Sequence, residues 1–204
     1  MKTKLTMLIV FFTLLINSFA YASFDFKTAL NELQYSANLG MSSSKYIGTS
    51  LKSQKNNFGV QLGASAEYAY KPDVAFISEL NYVQKGSIFS ASTEEVQTLH
   101  YLQLPLLAKY VLPQTYKGAT FQLIGGAYYG YLLNGQSKVG DTTTDLKSKL
   151  GRHDAGIVFS AGANMASPFD DGKLSVNLRY DMGLREVEDN VRNASYQLTL
   201  GYNF

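Results

Sequence analysis

Cysteine and tryptophan are absent from the 204 residues, histidine occurs twice and proline four times. Without cysteine there is no disulfide to hold the fold and no thiol to carry a lipoprotein anchor. Long apolar runs are also missing. The longest, from about Leu5 to Ile16, is shorter than the roughly 20 residues a membrane-spanning helix needs. It follows Lys2 and Lys4 and precedes Ala20-Tyr21-Ala22, the layout of an export signal cleaved after Ala22, which predicts a mature chain from Ser23. A charge excess is lacking as well. Removing Lys2 and Lys4 from the 18 basic residues leaves 16, equal to the 16 acidic ones, so the mature chain is formally neutral and gives no footprint for nucleic acid.

What the chain has in quantity is glycine (17) and tyrosine (15), arranged with a period of two. The last segment shows it most clearly. Tyr196, Leu198, Leu200, Tyr202 and Phe204 alternate with Ser195, Gln197, Thr199, Gly201 and Asn203, one face apolar and the other small or polar. Eight such segments are predicted, near residues 34–42, 58–70, 74–86, 99–111, 119–133, 154–166, 173–185 and 195–204. Residues 23–33 precede them as a short arm. Phe26, Ala29, Leu30 and Leu33 there suit either one or two helical turns or an extended lead-in.

Connections after the second, fourth and sixth segments are short: Lys71-Pro72-Asp73, Pro113 to Gly118, and Pro168 to Gly172. Those after the first, third, fifth and seventh are longer, the largest running from Asn134 to His153. An even strand number with this asymmetry predicts an eight-stranded antiparallel up-and-down barrel, residues 34–204, spanning an outer membrane with both termini in the periplasm.

A soluble lipocalin-like barrel would show the same alternation with its apolar face inward, and its polar face would then be dense in Lys and Glu. Here that face is small: Asn38, Gly40, Gly63, Ser65, Gly126, Gly130, Gly156, Ser160 and Gly162. Small residues suit the crowded lumen of eight strands. Tyr35, Tyr70, Phe76, Tyr110, Phe121, Tyr202 and Phe204 fall at the predicted periplasmic ends on the apolar face, and Tyr82, Tyr129, Tyr131 and Tyr196 toward the other end. Two aromatic girdles are the expected result.

These residues resemble the PorT-like outer-membrane β-barrel family over nearly the whole mature chain. The resemblance is carried by Glu79-Leu80-Asn81-Tyr82-Val83-Gln84-Lys85-Gly86, by Tyr101-Leu102-Gln103-Leu104-Pro105-Leu106-Leu107-Ala108-Lys109-Tyr110, by Gly125-Gly126-Ala127-Tyr128, by Arg179-Tyr180-Asp181 and by the final Leu200-Gly201-Tyr202-Asn203-Phe204. It implies a Gram-negative outer-membrane barrel but no single activity. It also implies that Tyr202 and the terminal Phe204 are an assembly signal, read by the barrel-assembly machinery after general secretion. Pro105 within a strand predicts a local irregularity in the wall.

Ionisable residues on the lumen face form the main candidate constellation: Glu67, Glu79, Lys109, Arg179 and Asp181. A hairpin between the third and fourth segments, centred near Glu94, would set Glu79 across from Lys109, with Glu67 beside Glu79. Lys85, Asp154 and Arg185 form a second group, expected at the extracellular mouth. Buried charges must be paired, so a structural ion-pair network sealing the lumen is the expected role, and a gated ion path is the sharper alternative.

A lipid-modifying barrel enzyme is the rival class, and it would draw on His100 or His153. Both have lipid-facing parity, Asp154 points the other way, and no serine stands at a matching spacing. No catalytic residue, cofactor or metal site is predicted. Asp141, Asp145 and Asp170-Asp171-Gly172 lack the ligand density of a calcium loop. Outer-membrane lipid and lipopolysaccharide are the expected surroundings. Any specific surface ligand would meet the extracellular loops, where Lys45, Lys52, Lys55, Glu186, Glu188, Asp189 and Arg192 lie.

Overall fold

The computed structural model describes residues 32–48, 54–90, 94–147, 149–168, 171–186 and 190–204. The export signal and nearly all of the N-terminal arm lie outside the described residues. Gln34–Phe204 forms one compact unit. Its strands are β1 (Gln34–Gly48), β2 (Gln54–Lys71), β3 (Val74–Ser90), β4 (Glu94–Tyr116), β5 (Ala119–Val139), β6 (Thr142–Asp145), β7 (His153–Ala166), β8 (Lys173–Gly183) and β9 (Val191–Asn203).

Each strand is antiparallel to its neighbour, β4 pairs with β5, and β5 with β7. The sheet closes where β1 meets β9, from Ser36 opposite Asn203 to Gly48 opposite Val191. Eight strands make the barrel. The short β6 folds back on the outer end of β5, Gln136 to Val139.

The wall inverts the pattern of a soluble protein. Large apolar side chains stand exposed on its outside, Phe58 at 69% and Leu106 at 68%, while Gln103 inside is at 0%. Closure leaves none of the eight barrel strands at a sheet edge, and the outward apolar face meets a medium that solvates it, hydrocarbon rather than water. Glycines let the inner faces approach closely. A Cβ on Gly156 would lie 2.6 Å from the Tyr128 ring, so a larger residue there would displace a buried aromatic.

One end carries the start of β1, the end of β9 and the tight turns. Lys117 and Gly118 both take positive φ, 49° and 80°, giving the two-residue turn between β4 and β5. The turn between β7 and β8 is closed by Ser167 N–H donating to the Gly172 carbonyl at 2.8 Å. β4 runs on through Pro113 to Tyr116, with a register shift between Val111 and Thr115. The predicted loop from Pro113 is therefore strand for most of its length. At Pro105 the ladder to β3 lapses between Ser78↔Leu106 and Asn81↔Gln103 while the register continues unchanged. That is the local effect of a residue without an N–H.

The opposite end reaches further than the alternation predicts. β2 begins at Gln54 rather than near residue 58, β4 at Glu94 rather than 99, and β5 runs to Val139 rather than 133. Residues such as Lys55, Gln97 and Lys138 are polar on either face there, so the hydropathy signal ends although the hydrogen-bond ladder continues. β8 stops at Gly183, short of the predicted 185.

Candidate functional site

Alternation along the strands decides which charges enter the lumen. Glu79 and Lys85 share inward parity on β3, as do Arg179 and Asp181 on β8. Asp154 comes from β7, Lys109 from β4 and Glu67 from β2. Their side chains form two groups at different heights.

The central group is an alternating chain of five charges. Asp154 Oδ2 lies 3.7 Å from Lys85 Nζ, which lies 3.8 Å from Asp181 Oδ2. Asp181 Oδ1 accepts from Arg179 Nε at 2.6 Å, and Arg179 Nη1 donates to Glu79 Oε2 at 2.6 Å. The side chains of Lys85, Asp154 and Asp181 are 0% exposed. Neutral side chains add further bonds. Gln197 donates to Asp181 at 3.0 Å, Asn193 and the Tyr128 hydroxyl donate to Asp154 at 3.1 Å, and Asn81 donates to Glu79 at 2.7 Å. Lys85 is also held by ring faces, its Nζ 4.6 Å from the Tyr128 centroid and 5.9 Å from that of Tyr101.

Closer to the turn end, Lys109 pairs with Glu67. They line an open vestibule of about 400 Å³ with Lys71, Thr120, Asn164 and Lys173. Ile77, Leu107, Tyr128 and Val158 pack as an apolar cluster inside the barrel. A small cavity of about 30 Å³ borders Glu79, Arg179, Gln61 and Asn38.

Three placements differ from the sequence reading. Lys85 and Asp154, expected as a separate group at the extracellular mouth, are buried in the central chain beside Asp181. Glu79 does not face Lys109, because the β3–β4 hairpin closes at Ser90↔Glu94 and sets Ala75 opposite Lys109, while Glu67 stands opposite Ile77. The turn is centred two residues earlier than predicted, and that slip hands Lys109 to Glu67 and Glu79 to Arg179 across the lumen. Arg185 does not join Lys85 and Asp154. It is exposed in the bend after β8, with its N–H donating to the Ala155 carbonyl at 3.2 Å.

The sequence reading missed the stopper at the loop end. Tyr46, Leu99, Tyr101, Leu132 and Val191 pack inside the barrel with Leu146 and Leu150, which come from the connection after β6. Leu146 N–H donates to the Gly135 carbonyl at 2.9 Å and Leu150 N–H to that of Leu146 at 3.0 Å, fixing this turn in the mouth. Two leucines four apart within the longest connection were the available signal. They stayed hidden because a turn of a long connection shows no strand period.

The two histidines lie on the outer wall. His100 Nδ1 is 2.5 Å from the Tyr82 hydroxyl and His153 Nδ1 is 2.5 Å from that of Tyr129. Asp154 points inward to Lys85, and among the described residues no carboxylate orients either ring. Among the described residues no three His, Asp or Glu side chains converge on a metal position.

An apolar wall around a filled, ion-paired lumen defines a transmembrane β-barrel. Residues 19–189 match the family described as outer membrane protein beta-barrel domain, and the chain belongs to that family. It is a Gram-negative outer-membrane protein. No curated protein sequence matches the chain.

Among solved structures it is similar to Neisserial surface protein A, at 15% identity, covering 83% of this chain and 95% of that one, TM-score 0.52. It is also similar to OprG of Pseudomonas aeruginosa, at 11% identity, covering 84% and 95%, TM-score 0.52. These likenesses concern the fold.

Proposed function

We propose that the protein is a closed, non-enzymatic barrel of structural or surface-interaction type, whose lumen charges are structural and whose extracellular loops carry any specific contact. The observation that carries this reading is the filled cross-section: the chain from Asp154 to Glu79 spans the interior, and the Leu146–Leu150 turn stops the mouth above it. Eight strands leave a lumen that side chains fill, which supports a barrel without a solute path. The Tyr–His pairs support a non-catalytic role for the histidines, because a hydroxyl occupies the ring nitrogen that an orienting acid would need.

Within the family, the segments from Glu79 to Gly86 and from Tyr101 to Tyr110 support kinship with the PorT-like branch. The alternating β9 with its terminal Phe204 supports delivery by general secretion and the barrel-assembly machinery. The test is conductance of the purified mature barrel in a planar lipid bilayer. The expected record is a closed membrane, with no steady channel at moderate voltage. A reproducible unit conductance from the wild-type protein would overturn the closed reading and make the ion-pair chain a gate.

A further inference from the structure

The charges of the central chain do not balance. Asp154, Asp181 and Glu79 bring three carboxylates to it, Lys85 and Arg179 two cations. Lys109 and Glu67 cancel one another nearer the turn end. One negative charge is left over in an interior where charge has to be compensated. Glu79 receives both Arg179 Nη1 and Asn81 Nδ2 on one oxygen, Oε2.

The cavity of about 30 Å³ adjoins this carboxylate. Glu79 is the one acid among the described residues that border it, and the neutral side chains of Asn38, Gln61 and Thr199 share its wall. Gln61 is 2% exposed, and its Oε1 has no hydrogen-bond partner among the described residues. An orphaned carbonyl oxygen beside a surplus carboxylate is a donor set for a cation. Arg179 borders the same space, its Nε and Nη1 committed to Asp181 and Glu79, its Nη2 without a hydrogen-bond partner among the described residues. At roughly 10–15 Å³ for each water-sized particle, the cavity holds an ion and one water, and that water can accept from Nη2 while its other lone pair turns to the ion.

We propose that this cavity binds one alkali-metal cation, held by the Glu79 carboxylate and the Gln61 amide oxygen. The charge count selects the class, since one surplus negative charge calls for one positive. A single carboxylate among neutral oxygens is too few anionic donors for calcium, and magnesium keeps several waters that a cavity of about 30 Å³ cannot hold. Carbonyl-type oxygens replace the hydration shell of sodium or potassium well. The ion neutralises the central chain and ties β2, through Gln61, to β3, through Glu79. Asp154, whose Oδ1 also has no hydrogen-bond partner among the described residues, does not border the cavity.

The test is the lifetime of the folded mature barrel at one temperature and pH in chloride salts of equal ionic strength, read as the heat-shifted band on an unboiled gel. A ligand that binds only the folded state prolongs it. In sodium or potassium chloride the wild-type half-life should be about fivefold longer, or more, than in tetramethylammonium chloride, whose cation is too large for the cavity. Glu79→Gln cancels the surplus charge, so its lifetime should be the same in all three salts. Gln61→Leu should cut the alkali-cation effect severalfold. Gln103→Leu should keep it, because Gln103 is equally buried and its amide atoms equally unpartnered among the described residues, but it does not border the cavity.

Equal wild-type lifetimes in the three salts would overturn the proposal, and a gain on mild acidification in their place would put a proton on the surplus carboxylate instead. An undiminished cation effect in Glu79→Gln would overturn it as well. The position is read independently of any variant, in wild-type crystals soaked with thallium(I), which takes potassium sites. Anomalous density between Glu79 and Gln61 is the expected result, and density beside Asp154 alone would sink the assignment. Bilayer conductance tests the closed-barrel reading separately, so either can fail without the other.

Discussion

Arg179 is the residue on which most of the lumen depends, since its guanidinium holds Asp181 on one side and Glu79 on the other. Arg179→Ala leaves Asp181, 0% exposed, to Lys85 and Gln197 alone. Breaking a buried pair by removing one partner costs ~3–5 kcal/mol, and urea unfolding of the variant in lipid vesicles should show a loss of that size. Lys109→Ala removes a single pair whose partner Glu67 opens on the vestibule, where water can take over part of the solvation. Its loss should be smaller, about 1–3 kcal/mol for an unpaired but reachable polar group. Reversal of that order would mean that Glu67, not Asp181, is the harder charge to leave alone. Gly86 is a different kind of dependence. It holds a φ of +153°, and an added Cβ would enter the Gln97 carbonyl on β4. Gly86→Ala should depress refolding yield by disturbing the β3–β4 hairpin.

The hairpins show where the sequence could be read and where it could not. Inside the bilayer, alternation marks each strand because one face meets lipid and the other the lumen, and Leu102, Leu104 and Leu106 point outward as their spacing demands. Beyond the bilayer both faces meet water, so the outer reaches of β2, β4 and β5 carried no contrast and the β3–β4 turn was centred two residues late. Which carboxylate meets which cation depends on that register, so the inward set of charges was legible, Arg185 apart, while its pairing was not. The stopper was illegible for a related reason, since a buried turn of a long connection has no strand period. It makes its own prediction. Leu146→Ser with Leu150→Ser should free the turn, and Lys147 and Lys149 within it should become sensitive to trypsin added to intact cells. A wild-type rate of cleavage in that variant would mean that the mouth is held by other contacts.

At the scale of the whole barrel, the last strand has two roles that can be separated. β9 closes the cylinder against β1 along its full length, so it is part of the fold in any solvent. Phe204 itself adds little to that closure. It is 74% exposed, its N–H donates to the Tyr35 carbonyl at 2.9 Å, and its ring meets Tyr202 edge-on at 5.2 Å. Deleting it removes one terminal hydrogen bond, worth about 0.5–1.5 kcal/mol, and an aromatic anchor at the periplasmic girdle. The deleted chain should therefore refold in detergent to nearly the wild-type yield, read as the heat-shifted band on an unboiled gel. In cells, if Phe204 is an assembly signal, the same deletion should lower outer-membrane levels severalfold while processed chain still reaches the periplasm. Equal losses in both settings would make Phe204 a packing residue only, and equal recovery in both would remove it from assembly and stability alike. Only a gap between cell and test tube, with the barrel competent to fold but not delivered, assigns the terminal aromatic to recognition.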